Sequence, residues 1–178
     1  MARLPVIDPA NATGTAKDAF EGPLKGMHLN IFKGMAGSQS GLPAYLGLSG
    51  ALSNGGFNDQ EKEVIALVSA AVNGCDYCTA AHTFIGTKAG LTEEQTVAIR
   101  QGESTGDDKL DALASFARTI INTKGFVDNA DIEAFKGAGY TDAHIVDTIV
   151  ALALNYYTNI FNHVNETEID LPAPPALV

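Results

Sequence analysis

Apolar positions run almost unbroken from Val64 to Val72, through Ile65, Leu67, Val68, Ala70 and Ala71. A stretch that is apolar nearly all round predicts a central, buried helix. Asn58, with Glu61 three residues on, predicts its start as a capping box, and Asn73-Gly74 its end at a left-handed glycine. A second helix follows at once, from near Cys75 to Lys88-Ala89-Gly90, and a third opens at Thr92, with Gln95 completing its cap, and ends near Gly102. Leu110, Leu113, Ala114, Ala117, Ile120 and Ile121 fall at helical spacing, so a further helix starts at Asp107 or Asp108 and ends at Gly125. Residues 129–137 form a short helix. Thr141 caps a long last one that reaches about Val164. Its run Ile145 to Val150 is β-branched enough for a strand, but Ala151-Leu152-Ala153-Leu154 carries the pattern past strand length. Pro43 suits the first turn of one more helix, ending near Asn54-Gly55-Gly56, after a Gly/Ser-rich loop at 34–41. Residues 1–14 and 171–178 read as extended arms. All seven prolines lie at or before residue 43 or after residue 171. The chain therefore reads as all-α, a single domain over 1–178.

The length of 178 residues suits one core of ordinary size. Against 11 basic residues stand 21 acidic ones, a net charge of −10, which disfavours nucleic acid and anionic membrane as partners. Asp147, Asn155 and Asn159 interrupt the most apolar segment, so no transmembrane helix is expected, and no secretory apolar region precedes Pro9. The expected compartment is the cytoplasm, where thiols stay reduced. There the two cysteines, Cys75 and Cys78, point to catalysis, redox cycling or metal rather than to a structural bridge.

Their spacing carries the chemistry. Cys75 and Cys78 are i, i+3, and His82 is four residues beyond Cys78; on a helix all three lie within about 60° of one another. Two nucleophiles are then possible. A helix N-terminus favours a thiolate at Cys75, while His82, one turn on, favours proton removal from Cys78. Two thiolates, one imidazole and Glu63 are also acceptable zinc ligands. If the two helices fold back at Gly74, Glu63 overshoots His82 by about five residues, or ~7 Å. His163 reads as an ordinary residue of a helix C-terminus, and Tyr156, Tyr157 and Phe161 as core or interface packing.

Glu63, Cys75, Cys78 and His82 match the E-x11-C-x2-C-x3-H pattern. In this the chain resembles alkylhydroperoxidase AhpD-like proteins of the carboxymuconolactone decarboxylase superfamily. The resemblance is strongest over residues 56–102, and Asn155–Val164 with Thr167–Pro172 is similar to the C-terminus of peroxidase-related members. It implies a helical bundle with the C-x-x-C at the N-terminus of a central helix, assembled as a homotrimer or hexamer. It implies a thiol-dependent reductase of hydroperoxides without a cofactor, re-reduced by an external dithiol. Cys78 would attack the peroxide, Cys75 would protonate the leaving alcohol and close the disulfide, and His82 with Glu63 would relay the proton. Tyr77 stands where the founding branch has a relay histidine, and a phenol of pKa ~10 is a poor base at neutral pH. A lactone-cleaving decarboxylase and a non-enzymatic redox or zinc switch are the competing readings.

Overall fold

The computed structural model describes residues 2–177, so Met1 and Val178 at the ends of the two expected arms lie outside the description. Among the described residues the regular structure is helical throughout: α1 Gly14–Glu21, α2 Asn30–Met35, α3 Gly41–Leu52, α4 Asp59–Asn73, α5 Asp76–Lys88, α6 Glu93–Gln101, α7 Asp108–Thr123, α8 Asn129–Gly137 and α9 Asp142–Asn165.

The anticipated start and stop signals operate as expected. Asn58 and Glu61 close a capping box at α4, with Asn58 Oδ1 accepting from the Glu61 N–H at 2.9 Å. Thr92 and Gln95 do the same at α6. Thr141 closes its box with His144, whose Nδ1 accepts from the Thr141 N–H at 3.1 Å. Helix α4 is the hub. It packs on α5, α6, α7 and α9, and Val64, Ile65, Leu67 and Val68 are fully buried. Two apolar clusters result. One lies between α4 and α6–α9; the other gathers α1–α3 around Ala70 and the cysteine pair.

Two helices were not anticipated, and two local expectations need correction. Helices α1 and α2 carried no clear periodic signal. Helix α2 is six residues long, and its first amides find partners far along the chain: the Asn30 N–H donates to Asp170 Oδ2 at 2.8 Å, and the Ile31 N–H to the Tyr77 hydroxyl at 3.4 Å. Tertiary bonds of that kind leave no local sequence mark. The N-terminal arm is also shorter than expected. A 3-10 turn at Pro9–Asn11 leads into α1, and Ala12 is buried. Finally, α7 ends on Lys124, itself left-handed at φ 56°, one residue before Gly125.

Gly74 joins α4 to α5 at φ 69°, and a Cβ there would meet nothing within 4 Å. A Gly74→Ala variant is therefore strained only in its backbone. We expect it to lose about 1 kcal/mol of stability in denaturant unfolding. An unchanged midpoint would show that the turn relaxes freely.

Candidate active site

The turn at Gly74 makes Cys75 the N-cap of α5, with extended dihedrals. Its sulfur replaces the usual capping oxygen and accepts the Cys78 N–H at 3.3 Å. Both cysteines are buried, reduced thiols. Cys78, on the first turn of α5, lines a cavity of about 270 Å³. Cys75 lies outside that lining.

The cavity wall comes from α2, α3, α4, α5 and α9. Leu29, Ile31, Phe32, Leu52, Ile85 and Leu154 make it largely apolar, and Glu63, Cys78 and His82 bring ionisable groups to it. His82 Nδ1 lies 2.8 Å from Glu63 Oε2. The predicted overshoot is thus closed. A Cβ on Gly86 would sit 3.5 Å from the Glu63 Cβ, so the helices do fold back near the expected register. Gly86 is one turn beyond His82, and the long Glu63 and His82 side chains bridge that offset directly.

The electrostatics separate the two thiols. The Cys75 thiol donates to Cys78 and is the largest influence holding Cys78 down, to a pKa of about 6. Burial opposes this, while the His82 charge and the Asn162 and Asn159 amides reinforce it. The same shared proton, together with burial, pushes Cys75 well above the usual thiol range. The helix terminus, which on its own favours a thiolate at Cys75, is outweighed. At His82, burial works against the charge, but the Glu63 carboxylate more than offsets it and the imidazole pKa is raised. With Nδ1–H given to Glu63, Nε2 is the nitrogen left to exchange a proton with a thiol.

Tyr77 is not a substitute relay base. It is buried, and its hydroxyl donates to Asp170 Oδ1 at 2.8 Å. Burial, then Asp170, push its pKa up, so it stays protonated. It ties the C-terminal segment to the floor of α5. His163 is exposed in the last turn of α9, away from the cavity lining. Among the described residues no three His, Cys, Asp or Glu side chains are grouped to hold a metal ion.

Two residues of the site were not anticipated. Asn162 Nδ2 lies 3.3 Å from Cys78 Sγ and 4.0 Å from Cys75 Sγ, and the Asn159 amide, one turn earlier on α9, also helps to lower the Cys78 pKa. The signal was available: Asn155, Asn159 and Asn162 put amides on one face of an otherwise apolar helix at i, i+4 and i+7.

Residues 42–119, from α3 into α7, match the model of the carboxymuconolactone decarboxylase family. No curated protein matches the chain by sequence. A solved AhpD-core, peroxidase-related protein from Ralstonia eutropha JMP134 is 22% identical with a TM-score of 0.85, over 95% of this chain and 92% of that one. A peroxidase-related protein from Silicibacter sp. TM1040 is 22% identical with a TM-score of 0.77, over 93% and 89%. The debrominase Bmp8, in its apo form, is 17% identical with a TM-score of 0.75, over 94% and 92%. At these identities the likeness establishes the fold. That fold is AhpD-like, and the family match over residues 42–119 is to the carboxymuconolactone decarboxylase family.

Proposed function

We propose that this AhpD-like chain is a thiol-dependent hydroperoxide reductase. One observation carries the reading: Cys78, whose pKa is held near 6, shares a cavity with the His82–Glu63 pair, while Cys75 sits behind it within hydrogen-bonding reach. His82 takes the Cys78 proton. The thiolate attacks the terminal peroxide oxygen, so an S–O bond forms as the O–O bond breaks. The departing alkoxide takes the Cys75 proton and leaves as alcohol. Cys75 then attacks the Cys78 sulfenic acid, and the expelled hydroxide leaves as water with the His82 proton. An external dithiol restores both thiols by exchange.

The lactone-cleaving alternative leaves the thiol pair without a task. The debrominase likeness shows only that the same fold serves a different chemistry elsewhere. The apolar wall favours organic peroxides over hydrogen peroxide. Turnover with dithiothreitol is expected to show a kcat/KM for cumene or tert-butyl hydroperoxide at least about tenfold above that for hydrogen peroxide. No turnover with any of them would sink the reading.

The homo-oligomer belongs to the same proposal. Val146, Ile149, Tyr156 and Val164 are each more than half exposed and stripe one face of α9 at spacings of three, seven and eight. That stripe is apolar and suits burial against another copy. Sedimentation should show a trimer or hexamer, and a monomer would overturn it. Among the described residues no helix is long and apolar enough to cross a membrane.

A further inference from the structure

Two buried polar atoms beside Cys78 have no partner: Asn159 Nδ2 and Asn162 Oδ1. Asn159 is fully buried and Asn162 nearly so. An unpaired buried polar atom is costly, and a donor and an acceptor left open on adjacent turns beside a thiol call for an explanation.

The orientation of Asn159 is fixed. Its Oδ1 accepts from Ser69 Oγ at 3.1 Å and from Asn73 Nδ2 at 2.8 Å. Ser69 and Asn73 are one turn apart on α4, so two donors clamp the carbonyl end and turn the NH₂ end away from them. That end has no hydrogen-bond partner, and the Asn159 amide is among the groups that hold the Cys78 pKa down. Asn162 gives its own NH₂ to Cys78 Sγ at 3.3 Å, and its carbonyl is left open.

A neutral thiol is a weak acceptor and leaves both groups poorly served. A thiolate accepts from both amides. A sulfenic acid matches the orphans more fully still: its oxygen accepts from Asn159 Nδ2, and its hydroxyl hydrogen donates to Asn162 Oδ1. We propose that Asn159 and Asn162 form an amide cradle that holds Cys78 first as thiolate and then as sulfenic acid. Ser69 and Asn73 act through Asn159 as positioning residues. The sulfenic half rests on the hydroperoxide reading above; the thiolate half does not.

The variant Asn162→Leu separates this role from a structural one. The protein bonds of Asn162's side chain go to the two sulfurs, and leucine has a similar shape. Removing an orphaned carbonyl should leave stability equal or higher. Alkylation of Cys78 by iodoacetamide, followed by mass spectrometry between pH 5 and 9, reads the thiolate. It is done on Cys75→Ser chains, where the hydroxyl still donates to Cys78. The expected result is a midpoint raised by about one pH unit, or about tenfold slower alkylation below it. Asn159→Ala should shift it the same way and decides the matter if Asn162→Leu does not fold. A folded variant of either kind with the parent's midpoint overturns the cradle. For the sulfenic half, dimedone trapping after one equivalent of tert-butyl hydroperoxide should show a shorter-lived adduct-competent species in both variants; equal lifetimes overturn that half. A parent that alkylates as described but never yields a sulfenic acid overturns the peroxidase reading and leaves the thiolate cradle in place.

Discussion

Cys78→Ser is expected to lower hydroperoxide turnover by more than about 10³-fold, to the background of peroxide and dithiol alone. Cys75→Ser is expected to fail differently. It should consume one equivalent of peroxide and then stop, with a dimedone-reactive sulfenic acid at Cys78. The difference follows from position. Cys78 meets the cavity, where a peroxide would lie, whereas Cys75 is outside its lining and its sulfur bonds to the Cys78 N–H and the amide of Asn162. It follows also from charge. The Cys78 pKa is held down, to about 6, by the Cys75 thiol, and that of Cys75 is pushed up by the same contact. A serine at 78 has no accessible anion and no sulfur to oxidise. A serine at 75 still donates to Cys78 but cannot form the disulfide, so the oxidised sulfur waits unresolved. Stopped-flow peroxide consumption with mass spectrometry separates the two. A single-turnover rate for Cys78→Ser equal to that of the wild type would move the nucleophile to Cys75.

The elements that place this site were legible where their signals are local. Asn58, Glu61 and Gly74 bound α4, and Thr92 and Gln95 begin α6, because caps and left-handed turns are set by residues within one turn of each other. The i, i+3 and i+4 spacing of Cys75, Cys78 and His82 likewise needed only the helical repeat. The spacing alone left the nucleophile open between Cys75 and Cys78, and only the resemblance pointed to Cys78, because which thiol meets the cavity is set by tertiary packing. The reach of Glu63 was misjudged because a rise per residue counts backbone and neglects two long side chains. Helix α2 and the tie between Tyr77 and Asp170 were invisible for a further reason: their partners lie 46 to 140 residues away in sequence. The amides of α9 were legible as a periodic polar face, yet their purpose emerges only when α9 is laid against the N-terminus of α5.

Glu63→Gln is expected to lower kcat/KM at pH 7 on the order of 10²-fold and to change the shape of its pH profile. Glutamine keeps an oxygen for the His82 Nδ1–H, so the geometry at 2.8 Å survives and the charge is what disappears. In the wild type, the acid limb follows Cys78, with a midpoint of about 6. The alkaline limb follows loss of the imidazolium, whose pKa the Glu63 carboxylate raises against the effect of burial. Without that carboxylate the imidazolium deprotonates at lower pH. Cys78 then loses the His82 charge that helps to hold its own pKa down, so the acid limb moves up as the alkaline limb moves down. The bell narrows and falls. Stability has its own sign. His82 has a raised folded pKa, so its contribution is complete below the unfolded value of ~6.5 and fades as pH rises through the folded one. Cys78 has a depressed folded pKa, so its contribution is present above ~8.5 and fades as pH falls through about 6. The His82 part of Glu63→Gln should therefore cost about 1–2 kcal/mol in denaturant unfolding at pH 5.5, and progressively less as the wild-type imidazole deprotonates. Urea melts across that range test the sign, and kcat/KM from pH 5 to 9 tests the relay. A bell of unchanged width and height would show that Glu63 supports His82 structurally and carries no part of the proton transfer.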